Sequence, residues 1–84
     1  MDKEFSRRLK KVVPENGGFD LGFNLSNSGQ PGKVASTLNL TIFGPGSEGK
    51  GPVILKKISI PAIANTIEEA NKAALEDTLS LLGV

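Results

Sequence analysis

The chain has no cysteine, no histidine, no tyrosine and no tryptophan among its 84 residues. Without cysteine there is no disulfide, no thiol nucleophile and no thiolate metal site. Without histidine the commonest general base and the commonest zinc ligand are both missing. No apolar run approaches the roughly 18 residues that a membrane-spanning helix requires. The first residues are charged and lack the apolar centre of a signal peptide, so a cytoplasmic location is expected. Excess charge is also missing, because the net value is only +1. That is too little to imply a nucleic-acid partner by itself.

The distribution of charge is uneven. Residues 1–13 hold five cations, Lys3, Arg7, Arg8, Lys10 and Lys11, against Asp2 and Glu4. From Ala62 onward Lys72 stands against Glu68, Glu69, Glu76 and Asp77. The two ends of the chain are therefore oppositely charged. At this length a single small domain covering residues 1–84 is expected, with a limited core that oligomerisation would reinforce.

The clearest element is the last. Thr66 followed by Glu69 fits a capping box, Glu68 and Glu69 suit the positive end of a helix dipole, and Gly83 suits a left-handed stop. Ile67, Ala70, Ala74, Leu75, Thr78, Leu79 and Leu82 recur at spacings of three and four, so they share one face of a helix over 66–83. At the other end, residues 2–13 read as a short basic helix with Phe5, Leu9 and Val12 on one side and Asp2 as cap, ended by Pro14 and the Glu15-Asn16-Gly17-Gly18 run.

The middle of the chain, 19–61, reads as three strands. Phe19, Leu21, Phe23 and Leu25 alternate with Asp20, Gly22, Asn24 and Ser26, which is the pattern of a half-buried strand. After the turn 27–33, residues 34–43 alternate in the same way, with Ser36, Leu38, Leu40 and Ile42 on the apolar side. Residues 53–60 change phase at Lys56-Lys57. Either a β-bulge there keeps Val53, Leu55, Ile58 and Ile60 on one face, or Ile54, Ile58 and Ile60 face inward and Lys56 is shed by a strand end. Pro61 is expected to close the strand. The predicted fold is α+β: a three-stranded antiparallel meander with the C-terminal helix on one face and a short N-terminal helix, in the order α-β-β-β-α.

Gly44-Pro-Gly46-Ser-Glu-Gly49 spells a dinucleotide fingerprint, and 44–51 falls one residue short of a phosphate-binding loop. Both patterns need a helix after the loop, and here Pro52 and a strand follow. A hairpin loop is the reading. The carboxylates form no pair aimed into a cleft, so neither catalysis nor a cofactor or metal is expected. The basic helix has three readings: a solvated face over an apolar underside, a contact for phosphates, or a dock for an acidic patch that includes the last helix of another copy. The polar side of the sheet, with Asp20, Asn24, Ser26, Thr37, Asn39 and Thr41, lacks the stacking aromatics of sheet-based RNA readers.

Ser36-Thr-Leu-Asn-Leu, Gly49-Lys50-Gly51-Pro52-Val53, Lys56-Lys57-Ile58-Ser59-Ile60 and Leu79-Ser-Leu-Leu together resemble a family of short bacterial proteins of the domain-of-unknown-function type, over 36–82. That family brings no activity with it. Ala70, Ala74, Thr78, Leu79 and Leu82 resemble the second helix of double-stranded-RNA-binding domains. Where that family has its lysine cluster, this chain has Ile67-Glu68-Glu69-Ala70-Asn71, with charge reversed. The hairpins followed by Leu81-Leu82-Gly83-Val84 are similar to the core of phage single-strand annealing proteins, which carry Arg and Tyr where this chain has 75–79.

The expectation is a non-enzymatic protein-interaction or self-assembly module whose partner is itself or another protein. The alternative is sequence-independent nucleic-acid binding through Lys3, Arg7, Arg8, Lys10, Lys11, Lys56 and Lys57.

Overall fold

A computed structural model describes residues 3–84. The elements run α1 (Lys3–Leu9), β1 (Gly18–Asn27), β2 (Val34–Gly44), β3 (Val53–Ala64) and α2 (Ile67–Leu82). The three strands form one antiparallel sheet in the order β1-β2-β3, with α2 laid against β2 and β3 and α1 beside α2. This is the α-β-β-β-α arrangement read from the sequence.

The boundaries of α2 are set by its caps. Thr66 is extended, and its Oγ1 accepts from the Glu69 backbone N–H at 3.1 Å. At the far end Gly83 turns left-handed at φ 76°, and two bonds close the helix: Gly83 N–H to Ser80 O and Val84 N–H to Leu79 O. That pair is a Schellman motif, and glycine enters the left-handed region without a Cβ clash. The Thr66→Ala variant loses the capping acceptor. It should lower the denaturation midpoint by an amount worth about 1 kcal/mol, with the urea m-value unchanged.

The inner face of the sheet follows from the register. Phe19, Leu21, Phe23 and Leu25 stand opposite Ile42, Leu40, Leu38 and Ser36, and those in turn stand opposite Lys56, Ile58, Ile60 and Ala62. Leu38, Leu40, Ile42 and Ile58 are buried there beneath Ala70, Ala74 and Leu79, with Phe5 and Leu9 of α1 completing the core. Alanines at the contact allow the helix backbone a close approach to the sheet. Two polar side chains are buried with these residues, and both are satisfied. Ser36 Oγ donates to Asn71 Oδ1 at 2.6 Å, and Thr78 Oγ1 donates to the Ala74 carbonyl at 2.7 Å.

Four expectations are corrected. α1 stops at Leu9 instead of Val13, because tighter bonds from Lys11 N–H to Arg8 O and from Val12 N–H to Leu9 O replace the α pattern. The residue before Pro14 is itself biased away from α geometry. The expected cap, Asp2, lies outside the described residues. The bulge is at Leu55, before Lys56: Ile42 pairs with Lys56 while Phe43 pairs with Ile54. Pro61 does not close β3, which continues to Ala64 with Pro61 opposite Thr37. An edge strand has an unpaired side on which proline's missing N–H is not needed. Finally Phe23, Leu25 and Ile67, all on the predicted apolar faces, are exposed.

The last correction is a matter of lengths. A strand of 10 to 12 residues extends ~33 to 40 Å, whereas the 16 residues of α2 extend only ~24 Å. The molecule measures 51 Å along its longest axis and 19 Å along its shortest. The roof is shorter than the sheet below it, and it does not lie over β1.

Candidate interaction surfaces

Two ends of the sheet are distinguished by register. At the turn end, Asn27 pairs with Val34 and Val34 with Ala64, and α2 begins close by. At the hairpin end, Gly18 pairs with Phe43 and Gly44 with Val53.

Toward the turn end, the inner face of β1 is uncovered. Leu25 is 60% exposed although it stands beside buried Ser36. Asn71, which holds the Ser36 hydroxyl, lies one helical turn after Ile67, itself 44% exposed. Phe23 and Leu25 on β1 and Ile67 at the start of α2 are thus exposed toward the end of the sheet that holds the Ser36–Asn71 bond, where Glu68 and Glu69 form the first turn of α2. Among the described residues the outer edge of β1 has no ladder partner. Its sequence, GFDLGFNLSN, has neither lysine nor proline. The opposite edge, β3, has Lys56, Lys57 and Pro61. Charged side chains and proline are the usual means by which edge strands are kept from pairing with other chains. β3 carries three such residues, whereas β1 carries one, the exposed Asp20.

The hairpin end carries a second apolar group. Val53, Ile54 and Leu55 are consecutive and exposed, with Leu55 at 55%. They flank the loop 45–52, in which Lys50 and Glu48 are exposed, and Lys56 follows them. The glycine-rich loop joins two strands, so no helix N-terminus faces it.

The cations singled out by the sequence do not form one patch. Lys3 and Arg7 lie exposed on α1, where Arg7 approaches Glu4 at 3.7 Å, a solvent-screened contact of little weight. Arg8 is used inside the molecule: its Nη2 donates to the Val84 carbonyl at the end of α2. Lys10 and Lys11 occupy the turn after α1. The chain then reaches Gly17, which lies against the carbonyl of Phe43 at the hairpin end. Lys56 and Lys57 are adjacent in β3 and so point to opposite faces, Lys56 opposite Ile42 and Lys57 opposite Thr41. On the polar face a shallow depression of about 270 Å³ is lined by Asn39, Thr41, Lys57 and Ser59, with Ser59 Oγ donating to Asn39 Oδ1 at 3.1 Å. A groove of about 360 Å³ between the helices is lined by Glu4, Arg8, Lys72 and Glu76 over Phe5, Leu75 and Leu79. Its charges are balanced, so it selects for no ion.

Sequence reasoning named the cations and missed the apolar surfaces at both ends. The signal available was the absence of lysine and proline from β1, set against their presence in β3. Among the described residues no helix is long and apolar enough to cross a membrane. Compared with protein-family models, curated proteins and solved structures, the chain matches none.

Proposed function

We propose that this chain is a non-enzymatic self-association module whose contact surface is β1, its free edge and the uncovered inner face at Phe23, Leu25 and Ile67. The single observation behind this reading is that β1 is an edge without lysine or proline on which two inward side chains, Phe23 and Leu25, are exposed. Pairing on that edge satisfies open backbone groups and removes apolar surface from water in the same step.

Leu25→Lys places a charge on the inner face of the edge without touching the buried core. Light scattering should then show a monomer where the parent chain shows an oligomer, with the thermal midpoint nearly unchanged, as for a surface substitution. A parent chain that is strictly monomeric at high concentration sinks the reading.

A second reading is favoured by the exposed Lys50, Lys56 and Lys57 in and after the hairpin loop: sequence-independent contact with nucleic-acid phosphates. Such binding releases counterions and must weaken steeply with salt. A flat low-salt titration with a single-stranded oligonucleotide eliminates it.

A further inference from the structure

We infer that the occupant of the β1 surface is the β2–β3 hairpin of a second copy, joined head to tail. The inference rests on the self-association reading and specifies its partner. The two exposed apolar groups, Val53–Leu55 and Phe23–Leu25–Ile67, lie at opposite ends of one sheet. From the level of Ser36 to that of Gly44 the strand rises ~26 Å, so no single copy brings them together. Their rims are complementary. The hairpin is bordered by Lys50 and Lys56 against Glu48, with Glu15 in the turn that ends at Gly17. The acceptor is bordered by Glu68 and Glu69, which outnumber the nearby Lys33, itself donating to Asn65 Oδ1 at 2.6 Å.

A two-fold β1–β1 contact would leave both the aliphatic hairpin and the carboxylates unused. The head-to-tail contact uses both. It sets aliphatic side chains against aliphatic side chains and lysines against glutamates. Each copy then offers one donor end and one acceptor end. Such a heterologous contact builds a closed ring if the rotation closes and a filament if it does not.

Two charge-reversed variants test this. In the donor variant, Lys50→Glu and Lys56→Glu make the hairpin acidic. In the acceptor variant, Glu68→Lys and Glu69→Lys make the turn end basic. Alone, each should associate about tenfold or more weakly than the parent chain, because like charges then meet. Mixed in equal amounts, every contact in an alternating assembly is matched again, and association should return to within about threefold of the parent by sedimentation velocity. Reversal at the start of α2 also weakens that helix, but mixing cannot repair a helix, so the recovery reports the contact itself.

If each variant alone assembles like the parent while Leu25→Lys does not, the copies pair through β1 edges symmetrically; the head-to-tail contact is then wrong and self-association stands. If the parent chain itself never associates, both fall. If association appears only on adding a single-stranded oligonucleotide and is lost with salt, the lysines serve phosphates, and the protein–protein contact is overturned.

Discussion

Leu38→Ala should remove about 3 kcal/mol of stability, within the ~2 to 5 kcal/mol range for buried leucines, and leave the chain at the edge of unfolding at room temperature. Leu38 is fully buried on the central strand, between Phe23 on β1 and Ile60 on β3, beneath α2. A truncation there leaves a void that cannot collapse cheaply, because strands pair on both sides of it. Domains of this size hold ~5 to 15 kcal/mol in all, and a small core sits toward the lower end. The measurement is a urea titration followed by far-ultraviolet circular dichroism. A loss below about 1 kcal/mol would mean that Leu38 is not in a packed core, and the roof-on-sheet arrangement would fall with it.

Gly17→Ala should cost about 1 to 3 kcal/mol, as overpacking does, although it adds a single methyl in a loop. A Cβ at Gly17 would lie 2.3 Å from the Phe43 carbonyl oxygen and 2.9 Å from Pro14 Cγ. The nearer neighbour is backbone of the central strand and cannot swing away. The preceding turn is already committed, with Gly17 N–H bonded to Pro14 O at 2.9 Å and Asn16 left-handed at φ 63°. Asparagine tolerates that conformation better than most residues. The added methyl therefore lifts the link between α1 and β1 off the sheet. Amide exchange should speed up in 3–17 and hold in β2, and uniform exchange across the chain would contradict this account.

Most of the fold was legible because each element carries its own local signal. Thr66 and Gly83 marked the ends of α2 to within a residue, since caps are local chemistry. The alternation in β1 gave the correct phase: Phe19, Leu21, Phe23 and Leu25 do share the face of Leu38 and Leu40. What alternation could not give is cover. Whether Leu25 is buried depends on how far a helix elsewhere in the chain reaches, and periodicity contains no lengths of other elements. Pro61 was misread because its effect depends on whether the strand is central or at an edge. Of the two readings of the phase change at Lys56-Lys57, a bulge or a strand end, the structure has a bulge, and it sits at Leu55, since a phase change can be absorbed at more than one residue. For the candidate site, the cations were visible as a set, but their grouping was not. Arg8 turned inward to the end of α2, and Lys56 and Lys57 parted to opposite faces.

The Arg8 contact joins residues 76 positions apart, and α1 otherwise packs chiefly on α2. α1 therefore leaves the ribosome before the element that seats it has been made. The meander can zip from neighbour to neighbour, but Phe5 and Leu9 must wait, apolar and unsheltered, until α2 has been synthesised and has settled. A chaperone meeting the nascent chain would find its target in α1.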